Sequence, residues 1–386
     1  MHTYRPSWVP QEDSEGFASC IMTGIDSKEQ NGGRHTQQPA QVNRRKEISV
    51  DEYVDGILAC DRMILARAIT LIESNAPQHF ALGQEILQRI LPYTGKTVRV
   101  GITGAPGVGK STFIEALGTF LCDRGKRVAV LAVDPSSSVS KGSILGDKTR
   151  MESLSRRSGA FIRPSPSGGT LGGVTRKSRE TLLLCEAAGF EIILVETVGV
   201  GQNETTLRSM VDFFLVLVIT GAGDDLQGIK KGIIELADAI LVNKSDGDNV
   251  RCAQNVRAEI EQVLHFLRPA TEGWVTKALT CSALTGEGIE EIWDIILEYI
   301  QIINQNGVLF SVRRQQTLSW IVQMAEEDIR SSIRNNPNVV RCMDHIKQQV
   351  YSDSITATVA AQELIKVILN DTAEYTSRFD KKSLLT

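Results

Sequence analysis

Hydrophobic positions in the middle of the chain form short continuous runs, separated by stretches in which apolar residues recur every three or four positions. The runs rich in β-branched residues lie at 98–103, 127–133, 191–199, 211–219 and 239–243, and a sixth ends near 279–284. Such runs predict buried strands, and the amphipathic stretches between them predict helices. We therefore expect an α/β domain with a mostly parallel sheet at 95–305.

Helical periodicity begins before this domain. Ser49 is followed three residues later by Glu52, which predicts a capping box at a helix start. Apolar residues then keep helical spacing through two successive runs, so 47–94 is expected to form a helical pair. Asp61 and Arg62 in this segment are interpreted as surface charges.

The chain after the α/β domain is also predicted to be helical. Helices are expected at 318–333, 338–350 and 354–370. Asp353 or Ser354 is the expected cap of the last one. We interpret 306–386 as a helical extension, and two roles stay open for its apolar stripe: dimerisation, or burial against its own domain.

Composition narrows the class of protein. The 386 residues carry a formal net charge of −4, so no global charge favours nucleic acid or an anionic membrane. No apolar run approaches the ~20 residues of a membrane span. Seven cysteines without a C-x-x-C pair are typical of reduced thiols and argue against a zinc site. The polar segment 1–46 is expected to be a disordered tail.

The strongest motif is a phosphate-binding loop. The sequence GAPGVGKS fits G-x-x-x-x-G-K-S/T and lies between a predicted strand and a predicted helix, as this loop requires. Its backbone N–H groups are expected to surround phosphates, with Lys110 reaching the β- and γ-phosphates and Ser111 binding Mg²⁺. The expected nucleotide contacts are Gly104, Ala105, Pro106, Gly107, Val108, Gly109, Lys110, Ser111 and Thr112.

Two acids end predicted strands that follow this loop. Asp134 and Glu196 stand where ligands of open α/β sheets gather. Glu196 is followed three residues later by Gly199, which predicts an acid that holds Mg²⁺ and a glycine N–H at the γ-phosphate.

A guanine-binding motif follows the fifth apolar run. Asn243, Lys244 and Asp246 fit N-K-x-D, in which one carboxylate accepts hydrogen bonds from guanine N1–H and N2–H₂, a pair that adenine lacks. Asn243 is expected to bond near the guanine carbonyl or to brace the loop, and the Lys244 stem to pack on the ring. The segment Ser282, Ala283 and Leu284 is expected to offer a backbone N–H to guanine O6.

The order of motifs resembles one family of GTPases. Along the chain stand GAPGVGKS, VDPSSS, GSILGDKTRM, RPSPSGGTLGGV, ETVGVGQ, DLQGIKKG and NKSD. This series resembles the MeaB/ArgK family, the bacterial counterparts of human MMAA, over roughly residues 50 to 370. The fold it implies is a P-loop NTPase of the SIMIBI type.

The resemblance also implies a function. Members are homodimeric G proteins that chaperone adenosylcobalamin-dependent methylmalonyl-CoA mutase or a related acyl-CoA mutase, with GTP/GDP and Mg²⁺ bound to the G protein and cobalamin to the mutase. It implies an acidic cluster of Asp134, Asp147 and Glu196 around the metal and the attacking water, beside Lys110. The segment 221–231 resembles the family's third switch, which senses the mutase. A cytoplasmic location is expected, or the mitochondrial matrix in a eukaryotic host.

Other functions remain as alternatives. A nickel-insertion GTPase would need clustered His or Cys, which the sequence lacks. An arginine/ornithine transport kinase would need a phosphate acceptor, and no acceptor site is visible. A nucleotide-gated scaffold would bind GTP without turnover. Val200 follows Gly199 where many small GTPases carry a water-orienting Gln, so intrinsic hydrolysis is expected to be slow unless Gln202 substitutes.

Overall fold

The apolar runs of the central domain pair into one parallel sheet. The protein is described by a computed structural model over residues 48–133, 151–164, 171–197, 203–220 and 231–369. Its strands there are β1 (Val98–Gly104), β2 (Val128–Val133), β3 (Ala160–Arg163), β4 (Ile192–Thr197), β5 (Phe213–Ile219), β6 (Ala239–Asn243) and β7 (Lys277–Thr280). Within those residues the strand order is β3-β2-β4-β1-β5-β6-β7. All six pairings are parallel, so the sheet confirms the predicted α/β fold class.

Helices cover both faces of this sheet. Their bounds in the described residues are α1 (Val50–Leu58), α2 (Arg62–Glu73), α3 (Pro77–Ile90), α4 (Lys110–Asp123), α5 (Glu152–Ser155), α6 (Leu171–Ala187), α7 (Asn203–Arg208), α8 (Lys231–Ile234), α9 (Val250–Leu264), α10 (Ile289–Gln305), α11 (Val308–Asn335), α12 (Pro337–Tyr351) and α13 (357–369). One hydrophobic cluster joins α1, α2, α3, α6 and α9 to the sheet, and a second joins α4 and α10 to it. Because the central strands are buried on both faces, their sequences are almost continuously apolar.

The strand β3 was not predicted. It has only four residues, lies at one edge of the sheet and has one buried position, so it lacks the continuous apolar signal of the other strands. It pairs in parallel with β2, from Val128 opposite Ala160 to Leu131 opposite Arg163.

The N-terminal segment contains three helices rather than the predicted pair. Ser49 and Glu52 form the predicted capping box. The first run breaks at Cys60, whose φ of 58° is left-handed, and Asp61 then caps α2 through the N–H groups of its first turn. Asp61 and Arg62 are both exposed, which confirms that they are surface charges, and the Arg62 guanidinium also donates to the carbonyl of Ala160 at 2.7 Å, which holds α2 against β3.

The first C-terminal helix begins earlier than predicted, and the last begins later. The long helix α11 starts at Val308, ten residues before the predicted stripe. The last helix, α13, is capped by Thr356, whose carbonyl accepts the Ala360 N–H at 2.9 Å, and not by Asp353 or Ser354. No helix in the described residues is long and apolar enough to cross a membrane.

The predicted domain boundaries remain predictions. All described residues fall in one contact unit, Ile48–Thr386. The tail predicted at 1–46 lies outside the described residues.

Candidate guanine-nucleotide site

Those predicted site residues that the structure describes lie at the carboxyl ends of the strands. Because all strands are parallel, the carboxyl ends of β1, β4 and β6 lie at the same edge, where open α/β sheets bind ligands. Glu196 stands opposite Ile102 of β1 on one side and Ala132 of β2 on the other. The sheet therefore places the phosphate loop, the acid that ends β4 and the motif that ends β6 side by side.

Three glycines of the phosphate loop have a positive φ, and at two of them a side chain would also collide with a neighbour. Gly104 and Gly109 have φ values of 150° and 93°, in the left-handed region. A Cβ on Gly104 would lie 2.4 Å from the Leu217 carbonyl oxygen, and one on Gly109 would lie 2.7 Å from Asn243 Nδ2. Only glycine avoids these collisions. Its presence lets the chain curl into an anion-binding loop here and then enter α4 directly.

Lys110 closes over its own loop. Its Nζ donates to the carbonyl oxygens of Gly104 at 2.8 Å and Ala105 at 3.3 Å. Burial lowers the pKa of the Lys110 ammonium, and the nearby Glu196 carboxylate partly opposes this effect. A phosphate would give this ammonium a charged partner in place of two neutral carbonyls, so the lysine is poised to exchange partners when nucleotide binds.

Ser111 and Glu196 lie in contact. The Ser111 hydroxyl donates to Glu196 Oε1 at 3.2 Å, and Glu196 is buried. Thr103 and Thr197 join the strand ends beneath them, with 3.0 Å between their hydroxyls. A hydroxyl and a carboxylate oxygen are hard donors of the type that Mg²⁺ prefers, so these two residues fit a magnesium site.

Several other predicted residues cannot be placed. Asp134, Asp147 and Gly199 lie outside the described residues, as do Val200, Gln202 and residues 221–230 of the predicted third switch. Within the described residues no group of three His, Cys, Asp or Glu side chains is arranged to hold a metal. The acidic cluster thus remains a prediction, with Glu196 beside Ser111 as its described part.

Asn243 braces the site. Its Nδ2 donates 2.9 Å to the Val108 carbonyl of the phosphate loop, and its Oδ1 accepts the Ala283 N–H at 3.1 Å. Its Oδ1 also accepts the Cys281 thiol at 3.4 Å. Of the two predicted roles the structure favours the brace, since both ends of the buried amide are engaged by protein. The segment 282–284 was predicted to offer a backbone N–H to guanine O6, and of these N–H groups that of Ala283 donates to Asn243 here.

Asp246 presents its carboxylate beside this brace. The Ser282 hydroxyl donates to Asp246 Oδ2 at 2.6 Å, which fixes the plane of a half-buried carboxylate. Lys244 is exposed and has a left-handed φ of 60°, and Leu284 is 82% exposed. Lys244 lies two residues before Asp246, so its exposed aliphatic stem is available to pack on a base held by that carboxylate.

Sequence reasoning missed two parts of this arrangement. It did not assign the Cys281 thiol, and it gave Ser282 no side-chain role. The backbone pair Ser245 N–H to Cys281 carbonyl, at 2.9 Å, brings both residues to the motif. Residues 243–246 and 281–284 are far apart in the chain, so only the pairing of β6 with β7 makes them neighbours.

A phosphate loop on β1 and an N-K-x-D segment on β6, joined by one amide, define a guanine-nucleotide-binding protein of the P-loop class. Residues 65–338 match the family described as methylmalonyl-CoA mutase-associated GTPase MeaB. The chain belongs to this family.

Individual relatives agree with that assignment. The chain is 46% identical to the GTPase ArgK of Escherichia coli, over 83% of this chain and 97% of the relative. It is 41% identical to the mouse protein named methylmalonic aciduria type A homolog, mitochondrial, over 92% of this chain and 86% of the relative. A solved structure named LAO/AO transport system kinase superposes with a TM-score of 0.68 at 39% identity, covering 84% of this chain and 99% of that one.

Proposed function

We propose that this GTPase chaperones an adenosylcobalamin-dependent methylmalonyl-CoA mutase, coupling GTP hydrolysis to cofactor loading, protection and reactivation. The family match carries the mutase half of the proposal. The Asn243 brace carries the nucleotide half, because it fastens the phosphate loop to the segment that presents Asp246. A related acyl-CoA mutase is the alternative client.

The hydrolysis step assigns a role to each contact residue. Water attacks the γ-phosphorus, the bond to the β–γ bridging oxygen breaks, and GDP and phosphate leave. Lys110 neutralises charge on the β- and γ-phosphates once it leaves the carbonyls of its own loop. Ser111 and Glu196, with the predicted Asp134 and Asp147, would hold Mg²⁺, which supplies charge neutralisation at the phosphates when bound. Asp246 selects guanine.

The predicted slow intrinsic turnover belongs to this proposal. No Gln follows Gly199 directly, so the mutase is the expected accelerator. The proposed third switch at 221–231 is where the mutase would act on the site. The compartment is then that of the mutase: the cytoplasm, or the mitochondrial matrix in a eukaryotic host.

A homodimer built on the C-terminal helices is part of the proposal. Large apolar side chains stay exposed along α11, α12 and α13, among them Leu318, Ile321, Val322, Ile329, Val340, Tyr351, Ile365 and Leu369. Ile329, for example, is 60% exposed. Exposed apolar side chains concentrated on one extension are typical of an association surface. Light scattering should give twice the mass of the chain, and Ile329→Glu should shift it toward the monomer.

The test of function is GTP hydrolysis by the purified protein, alone and with the methylmalonyl-CoA mutase of its host. Acceleration by the mutase is expected, and Lys110→Ala should abolish it. Transfer of labelled γ-phosphate to a protein would instead favour the transport-kinase alternative that the solved relative's name suggests. Tight GTP binding with no turnover in either arm would contradict the proposed hydrolysis and leave a nucleotide-gated scaffold.

A further inference from the structure

The C-terminal helix α11 holds the turn between α7 and β5. Gln316 Nε2 donates to the Val211 carbonyl at 2.8 Å and to the Arg208 carbonyl at 3.3 Å. The Arg208 carbonyl ends α7, where the last helical C=O groups need partners from outside the helix, and the Val211 carbonyl lies three residues further on, just before β5. A single side chain of α11 therefore bonds to both ends of the turn between α7 and β5.

Arg179 of α6 makes a second connection at the same place. Its Nη2 donates to Ser209 Oγ at 2.6 Å, and its Nη1 donates to the Gln316 carbonyl at 3.1 Å. The Ser209 hydroxyl in turn donates to the Thr206 carbonyl within α7 at 2.7 Å. Arg179 and Gln316 thus form one hydrogen-bonded unit, here named the arm latch, that joins α6, α11 and the end of α7.

The helix held by the arm latch packs directly on the strand that carries the phosphate loop. Leu207 and Val211 are buried, and a Cβ on Gly101 of β1 would lie 3.0 Å from Leu207 Cγ and 2.8 Å from Val211 Cγ2. Glycine at this position lets α7 approach β1 closely. Since α7 also follows β4 and Glu196 in the chain, its position is tied to both strands that supply the phosphate side of the site.

The arm latch is incompletely satisfied in this arrangement. Among the residues that the structure describes, the buried Arg179 Nε and Trp320 Nε1 have no hydrogen-bond partner, although the Arg179 guanidinium lies over the Trp320 ring at 5.3 Å. Arg179 is only 7% exposed, and within the described residues it forms no ion pair. Buried donors without partners are costly, so opening this contact would restore solvation to groups that the closed form leaves unpaired.

We propose that Gln316 and Arg179 are positioning residues through which α11 controls α7 and, with it, the rate of GTP hydrolysis. The effect on rate rests on the proposed GTPase activity. Loss of the Gln316 hydrogen bonds should lower kcat about fivefold, equivalent to about 1 kcal/mol, the usual contribution of one neutral hydrogen bond. The KM for GTP should stay unchanged, because the latch touches neither Lys110 nor Asp246. A partner that binds the C-terminal helices would then affect the nucleotide site through the arm latch.

The test compares Gln316→Leu with Gln315→Leu. Gln315 is the exposed neighbour on the same helix, so the pair differs in contact with α7 and not in chemistry. Ser209→Ala is a milder second variant that removes the Arg179 acceptor and guards against misfolding of the first. Hydrogen–deuterium exchange of residues 203–212 without nucleotide reports the mechanical contact, and steady-state kinetics with GTP report kcat and KM.

The proposal is supported if Gln316→Leu and Ser209→Ala both show faster exchange across 203–212 and a lower kcat at constant KM, while Gln315→Leu shows neither change. Exchange and kcat equal to those of Gln315→Leu would overturn it. A fall in kcat accompanied by a rise in KM would also overturn it, since that pattern shows damage to the nucleotide pocket. If the wild-type protein hydrolyses no GTP, the proposed activity fails on its own account, and the exchange comparison still decides whether α11 holds α7.

Discussion

A buried ion pair fastens α11 to the amino ends of the strands, opposite the nucleotide site. Its removal gives the sharpest test of how the C-terminal helices are held. Arg313 Nε donates to Asp212 Oδ1 at 2.8 Å and Nη2 donates to Oδ2 at 2.7 Å. The Asp212 side chain is fully buried and that of Arg313 is 17% exposed. The same guanidinium donates to the Gly95 and Thr97 carbonyls, so it also fixes the chain entering β1.

The expected magnitude follows from what Arg313→Met would leave behind. The methionine keeps the apolar stem, but the Asp212 carboxylate is left with one described donor, the Arg99 N–H at 2.9 Å. Breaking a buried pair from one side costs about 3–5 kcal/mol, because the remaining charge is neither solvated nor paired. That is a large share of the roughly 5–15 kcal/mol by which proteins are stable. The variant should unfold at a much lower urea concentration.

The matched control is Arg314→Met. Arg314 is the next residue, is exposed, and loses no described ion pair, so it should change the free energy of unfolding by less than about 0.5 kcal/mol. Adding Asp212→Asn to Arg313→Met should recover at least about 1 kcal/mol, because a neutral amide is cheaper to bury than a lone carboxylate. If Arg313→Met matched Arg314→Met within about 1 kcal/mol, the pair would behave like a surface salt bridge and this reasoning would be refuted.

Three further predictions test the base site, the α7 contact and the effect of pH. Asp246→Asn should weaken GDP binding at least about 100-fold and improve xanthosine diphosphate binding, since the amide reverses the hydrogen-bond pattern; unchanged GDP affinity in a competition assay would contradict this. Gly101→Val should cost about 1–3 kcal/mol by pushing Val211 away, whereas Gly232→Ala, at an exposed helix position with no atom within 4 Å, should not lower the free energy of unfolding in urea. Burial raises the pKa of the Glu180 carboxyl above its usual 4.5, so between the pKa of the unfolded chain and that of the folded protein the folded state keeps a proton that the unfolded chain has released. The contribution of Glu180 to the free energy of unfolding therefore falls as pH rises through this range. Relative to the wild type, Glu180→Gln should be more stable at pH 7 than at pH 4, and an equal difference at both pH values would contradict this.

The fold was predictable where burial leaves a continuous signal. The central strands carry unbroken apolar runs because both of their faces are covered. The phosphate-loop motif in turn predicts the strand before it and the helix after it. The edge strand β3 escaped prediction because most of its positions are only half-buried. The break at Cys60 escaped because apolar spacing continues through it, while the turn depends on one left-handed residue.

The polar contacts of the C-terminal helix could not be read from the sequence for a different reason. Arg313 and Gln316 look like surface residues at the start of an amphipathic helix, and their partners lie more than 100 positions earlier in the chain. Helical periodicity describes which side of a helix is apolar, but it does not reveal which polar residues meet a buried carboxylate. The predicted start of this helix at 318 excluded both residues for that reason.

Asn243 shows how far a motif can specify a site. The pattern N-K-x-D identifies the base specificity through Asp246, whose chemistry alone distinguishes guanine from adenine. The motif alone does not show which of its residues contacts the base and which one braces the loop. In the structure the Asn243 amide spans from the Val108 carbonyl to the Ala283 N–H, so it links the loop that binds phosphate to both segments around the base. Because a Cβ on Gly109 would strike the same amide, the glycine of one motif and the asparagine of the other are parts of a single contact. We therefore expect nucleotide affinity and base selection to depend on each other, because this contact arises from the pairing of the two motifs in space and not from either sequence alone.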